Sequence, residues 1–168
     1  MLIAFEKSTH EKDLFRRKIM EYGSGGKIIH CQFICNEIGY NNACLAAWEG
    51  YGVAIRTLED TIEYYDEYLF YDLGNQRTEE TYQFFRENLG TEYSLLEIFI
   101  GMVLSIGKDN PRYKFCSELC AMVLKNIYHL PLEIQDFHRI SPQKLHDDLV
   151  KLGYKPINFK NPNEKRTP

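Results

Sequence analysis

The sequence predicts an α+β fold in which a central antiparallel sheet packs against helices that precede and follow it in the chain. Three observations point there. Two extended runs, Lys27–Glu37 and Ala43–Ile55, flank the turn cluster Gly39-Tyr40-Asn41-Asn42, the pattern of a β-hairpin with a longer loop. Apolar residues recur at helical spacing before this hairpin and in several stretches after it. They make up 44% of a 168-residue chain, enough for the core of one domain and too many for a disordered one.

Taken in order, Leu2-Ile3-Ala4-Phe5 reads as a short buried strand. Ser8 or Thr9 is placed to cap a helix whose apolar positions are Leu14, Phe15, Ile19 and Met20, and Gly23-Ser24-Gly25-Gly26 ends it. The hairpin follows, its returning strand carrying a possible break at Gly50 to Gly52. Leu58–Tyr65 is a polar loop or short helix, and Tyr68–Leu73 a further strand. Thr78-Glu79-Glu80 opens an amphipathic helix through Phe84, Phe85 and Leu89, stopped by Gly90. Helices are expected from about Ser94 to Ile106, over Phe115–Tyr128, and from Pro142 to Leu152 behind a Ser141 cap, with a loop at Lys108–Pro111. Residues 1–155 then form one domain, and the Pro-, Asn- and Lys-rich residues 156–168 a flexible tail.

The net charge of −4 excludes a global basic footprint for nucleic acid and polybasic adhesion to anionic lipid. Leu95–Ile106, the longest apolar candidate, is interrupted by Glu97, Gly101 and Ser105 and falls short of the roughly 18 residues of a membrane span. The apolar start turns charged at Glu6 and Lys7, so no signal peptide is expected, and five cysteines read as free thiols in a reducing compartment.

Cys116 stands just after a loop, at the expected start of a helix, where the helix dipole and Lys114 both favour thiolate. His30 lies on a strand whose alternation puts His30, Gln32 and Ile34 on one face and Cys31, Phe33 and Cys35 on the other. A turn centred near Gly39-Tyr40 would set Glu49 opposite His30, roughly 5 Å away between Cβ atoms and able to orient the imidazole. The same register opposes Cys35 and Cys44, so Cys31, Cys35 and Cys44 would share a face. There is no CxxC pair and no fourth ligand at zinc spacing, and no metal is expected. His129, His138 and His146 follow no metal-ligand pattern and read as surface residues, and the acidic run Glu59 to Glu67 reads as a solvated face. Gly23 to Gly26 lacks the Lys-Ser/Thr of a phosphate loop, and no cofactor is expected.

In order, five segments resemble the circularly permuted branch of the NlpC-type papain-like cysteine peptidases and amidases, which includes YiiX-like and lecithin:retinol acyltransferase-like proteins. Gly26 to Ile34 resembles its histidine strand, and Ala47 to Val53 the strand carrying the third polar residue. Leu89-Gly90-Thr91-Glu92-Tyr93 resembles its G-x-x-Y, Phe115-Cys116-Ser117-Glu118-Leu119 its Cys-Ser-Glu motif, and Ile140 to Leu145 its Ser-Pro helix start. The resemblance spans Leu2 to Leu152, with Cys31-Gln32 departing from the family's aliphatic and Glu or Gly positions. It implies a permuted papain-like fold and a Cys–His amidase, peptidase or esterase acting through an acyl-enzyme on a peptide, amide or acyl-ester substrate. Cys116 would be the nucleophile, His30 the base and Glu49 its orienting partner, with Tyr93 and Ser117 near the oxyanion. The alternatives are an inactive papain-like binding or virion-associated scaffold and a lipid acyltransferase. A cytoplasmic or virion-associated location is expected.

Overall fold

The computed structural model describes residues 1–9, 14–93 and 114–159, with the backbone alone at 14–17 and 19. The expected helix from Ser94 to Ile106, the loop at Lys108–Pro111 and residues 160–168 lie outside the described residues.

Strands β1 (Leu2–Lys7), β2 (Ile28–Cys35), β3 (Ala43–Trp48), β4 (Gly52–Arg56) and β5 (Tyr68–Asp72) form one antiparallel sheet in the order β4-β3-β2-β1-β5. The helices among the described residues are α1 (Leu14–Ser24), α2 (Leu58–Thr61), α3 (Thr78–Glu87), α4 (Cys116–Asn126) and α5 (Pro142–Lys151). The α+β expectation holds.

The continuous apolar run of β1 has a direct cause: the strand is buried on both faces. Ile3 and Phe5 enter a large core with Phe33, Leu45, Tyr71 and the apolar faces of α4 and α5. Leu2 and Ala4 point the other way, into a smaller core with Ile34, Cys44, Leu58 and Phe70. β2, the middle strand, is buried along its whole length.

The expected returning strand is two strands. At Gly50 to Gly52 the chain turns back tightly and β4 pairs with β3, Trp48 opposite Gly52. Gly52 has φ +68°, and a Cβ there would lie 2.3 Å from the Thr91 carbonyl oxygen. Glycine is required on both counts. Its neighbour Val53 donates from its backbone N–H to that carbonyl at 2.8 Å and accepts from Gly90 at 3.1 Å. These bonds tie Gly90 and Thr91 to the sheet. In the preceding turn, Asn41 and Asn42 carry φ of 50° and 54°, a backbone state asparagine tolerates better than most residues.

The β2–β3 register differs by one residue from the expectation. Ile34 pairs with Cys44 and Cys35 with Ala43. A slip of one residue turns every side chain of a strand to the other face. Cys44 therefore lies in the smaller core while Cys31 and Cys35 lie in the larger one, so the three sulfurs do not share a face.

Other local expectations also shift. The Ser8 hydroxyl donates to the Glu21 carboxylate near the end of α1 instead of capping its start. Beyond residue 155, Ile157 donates to the Phe70 carbonyl at 2.8 Å on the outer edge of β5, and the Phe159 ring sits 5.0 Å from that of Phe70. The end of the described chain thus shields an otherwise open sheet edge. Glu67, at the end of the acidic run, is buried, unlike its exposed neighbours Glu63 and Asp66. No helix among the described residues is long and apolar enough to cross a membrane.

Candidate active site

His30 owes its position to an irregularity in β2. Glu6 pairs with His30 and Lys7 with Ile28, leaving Ile29 as an extra residue immediately before the histidine. Such bulges bend a strand and re-aim the neighbouring side chain. On the other side, β2 and β3 are paired only from Phe33 to Cys35. The His30 and Trp48 rings lie beyond the last pair, 6.0 Å apart between centroids.

Cys116 is the first residue of α4, which packs across β2 and β3. The N-cap Phe115 makes no side-chain hydrogen bond to the backbone N–H groups of the first turn. The two segments, 86 residues apart in the chain, come together: a hydrogen bond and the charge of His30 both act to lower the Cys116 pKa. They do not prevail. A hydrogen bond with Cys31 is the largest influence and burial the next, and together they hold the Cys116 thiol well above its usual pKa. Only 3% of Cys116 is exposed. The expected thiolate is therefore corrected to a resting thiol, because the Cys31 hydrogen bond and burial together outweigh the charge and hydrogen bond of His30.

Lys114, expected to help ionise the cysteine, is committed elsewhere. Its Nζ lies 2.7 Å from Glu118 Oε1, while His138 Nδ1 lies 3.1 Å from Glu118 Oε2. Glu118 is buried, and this cluster fastens the start of α4 to the turn at Phe137–Arg139. Ser117 does similar work: its buried hydroxyl donates to the Ile140 carbonyl at 2.7 Å. Of the Cys-Ser-Glu-Leu run, the cysteine meets the histidine, serine and glutamate hold the helix, and Leu119 is core. His138 is thus no simple surface residue, and neither is His146, whose Nε2 lies 2.9 Å from the Tyr71 hydroxyl.

Beside His30 opens a pocket of about 210 Å³, room for a side-chain-sized group, whose lining includes Glu49 and Tyr93. Two expected site residues therefore share a cavity with the histidine. Glu49, however, lies in the exposed turn after β3 instead of on the ladder opposite His30. The residue directly across a ladder from His30 is Glu6 of β1, which also lines the pocket. The argument that a carboxylate facing the imidazole can orient it thus applies to Glu6. Its signal was present in the sequence, since Glu6 alternates with Leu2 and Ala4, but the pairing of β1 with β2 was not. Cys31 was also missed as a neighbour of the nucleophile, although its strand phase already turned it away from His30. Cys31 hydrogen-bonds with both Cys116 and Cys120, and burial raises its own pKa strongly.

No family model and no curated protein matches the sequence. Among solved structures, the chain is similar to the metalloprotein YiiX of Escherichia coli O157:H7 (DUF1105), with a TM-score of 0.65 and 12% identity over 96% of this chain and 97% of that one. At this identity the likeness concerns architecture alone, and the chain has the YiiX-like fold, a papain-like α+β arrangement.

Proposed function

We propose that the protein is a Cys–His hydrolase that cleaves an amide or ester through an acyl-enzyme. The observation that carries this reading is the meeting of Cys116, at an uncapped helix N-terminus, with His30 at the unpaired end of two strands. Because the resting cysteine is protonated, the attack follows a general-base route. Cys116 Sγ adds to the carbonyl carbon as its proton passes to His30. The oxyanion faces the first-turn N–H groups of α4, with the Tyr93 hydroxyl near the pocket side. His30 then returns the proton to the leaving nitrogen or oxygen, and water, activated by the same imidazole, releases the acyl group. Glu49 or Glu6 orients the ring.

YiiX is described as a metalloprotein. Among the described residues here, no group of three or more His, Cys, Asp or Glu side chains is arranged to hold a metal ion, and no step is assigned to one. A second reading, a papain-like binding protein without catalysis, is favoured by the burial of Cys116 and its absence from the pocket lining.

Intact-mass analysis after brief exposure to p-nitrophenyl acetate separates the two. The hydrolase reading expects one acetyl adduct on Cys116, kept in Cys120→Ala, absent in Cys116→Ala and formed about 100-fold more slowly in His30→Ala. No adduct, or one shared equally with Cys120 and indifferent to His30, supports the binding protein.

A further inference from the structure

The proposed chemistry leaves unused a cluster of thiols beside the nucleophile. Cys31 of β2 is in hydrogen-bond contact with two sulfurs of α4, those of Cys116 and Cys120. The topology brings the three together. Strand phase turns Cys31 into the larger core, where α4 packs across β2. Cys116 and Cys120 stand four residues apart on that helix and so share one of its faces. The other two cysteines lie elsewhere. Cys44 is in the smaller core, and Cys35 is four residues along β2, about 13 Å of strand away. A second observation separates the three clustered thiols. Cys116 alone keeps exposed surface, 3% against 0% for Cys31 and Cys120, and it is the one in hydrogen-bond contact with a base, His30.

We propose that Cys31 is a resolving thiol, which closes a reversible disulfide with Cys116 after hydrogen peroxide has oxidised Cys116. As a disulfide this rests on the placement of the sulfurs; as a switch on activity it rests on the hydrolase reading. Cys116 Sγ attacks one peroxide oxygen and the O–O bond breaks. The thiol proton, relayed through His30, leaves with the other oxygen as water, and Cys116 becomes a sulfenic acid. Cys31 Sγ then attacks that sulfur, and the hydroxyl departs with the Cys31 proton as a second water. Two thiols have lost two electrons and the peroxide has gained them. A dithiol reverses the step by exchange. With a thiol already in contact, disulfide closure outruns further oxidation to sulfinic acid, which a dithiol does not reverse.

The reduced full chain is treated with limiting hydrogen peroxide at neutral pH, denatured in excess N-ethylmaleimide and peptide-mapped without reduction. Cleavage after Glu118 separates Cys116 from Cys120, and fragmentation spectra separate Cys31 from Cys35. The expected product links Cys31 to Cys116, in wild type and in Cys120→Ala. In Cys31→Ala the link is absent and Cys116 becomes sulfinic or sulfonic acid. Acylation of Cys116 by p-nitrophenyl acetate should fall about tenfold or more after peroxide, returning with dithiothreitol in wild type and not in Cys31→Ala. Sulfinic or sulfonic Cys116 without the link in wild type overturns the proposal. So does a Cys31–Cys120 link in its place, or thiols left unmodified at a peroxide dose that oxidises the methionines. The wild-type map decides this whether or not Cys31→Ala folds. A Cys31–Cys116 link in a chain that never acylates overturns the hydrolase reading alone. Acylation lost to peroxide with no link, and not restored by dithiothreitol, overturns the resolving thiol alone.

Discussion

The protonation state of Cys116 makes a quantitative prediction about its reactivity. A thiol whose pKa lies above 9 is less than about 1% ionised at pH 7, and its thiolate fraction rises about tenfold per pH unit. The rate of carbamidomethylation of Cys116 by limiting iodoacetamide, followed by peptide mass spectrometry, should therefore climb with unit slope in log rate from pH 6 to 9, without a plateau. Two substitutions should move the whole profile in opposite directions. His30→Ala removes both influences that lower the pKa and should slow alkylation throughout. Cys31→Ala removes the largest influence that raises it. Loss of a hydrogen bond of about 0.5–1.5 kcal/mol corresponds to about a 2- to 12-fold faster reaction. A plateau below pH 8 that disappears in His30→Ala would refute the argument. It would mean that a thiolate–imidazolium pair exists at rest and that the Cys31 hydrogen bond and burial do not govern this sulfur.

Burial of the other thiols sets a limit on alkaline stability. Cys35 and Cys44 are both pushed up to about 12, chiefly by burial. Below the unfolded-state value near 9 both states keep these protons. Above it the unfolded chain ionises first, so stability falls until the pH passes the folded value. Each thiol contributes a slope of about 1.4 kcal/mol per pH unit in that window. Urea titrations at pH 8 to 10.5 should show this fall, and it should be shallower in Cys44→Ala. Ser117→Ala deletes a buried bond to the Ile140 carbonyl and should cost about 1–3 kcal/mol, seen as a lower urea midpoint at unchanged m-value. Gly52→Ala should cost at least about 1–2 kcal/mol from its positive φ alone, with more from the approach of Thr91, and thermal melts of the two chains measure it.

Local chemistry along the chain was legible where one element carries its own signal. Ser141-Pro142 starts a helix as expected, the serine oxygen accepting from the Lys144 N–H at 3.2 Å with proline in the first turn. Leu2-Ile3-Ala4-Phe5 forms the buried strand expected of it, because a continuous apolar run is a local signal; which core each face enters came only with the structure. Cys116 was correctly placed at the first position of a helix, because the break before it and the apolar periodicity after it are both local.

What depended on pairing was not legible. The number of residues absorbed by the turn between β2 and β3 set the register, and a difference of one moved Cys44 across the sheet. The same register, carried past its last pair, would set Trp48 rather than Glu49 across from His30. The tertiary structure also decided the charge on the nucleophile. Lys114, a helix terminus and a histidine all argue for thiolate when read along the chain. Glu118 takes the lysine, while the packing of α4 against β2 brings Cys31 to the sulfur and excludes water. The sequence by itself determined which residues could do chemistry and which element carries each. Only the packed molecule decided which of them meet and in what protonation state, because solvation and distance belong to the assembled core and to no single segment.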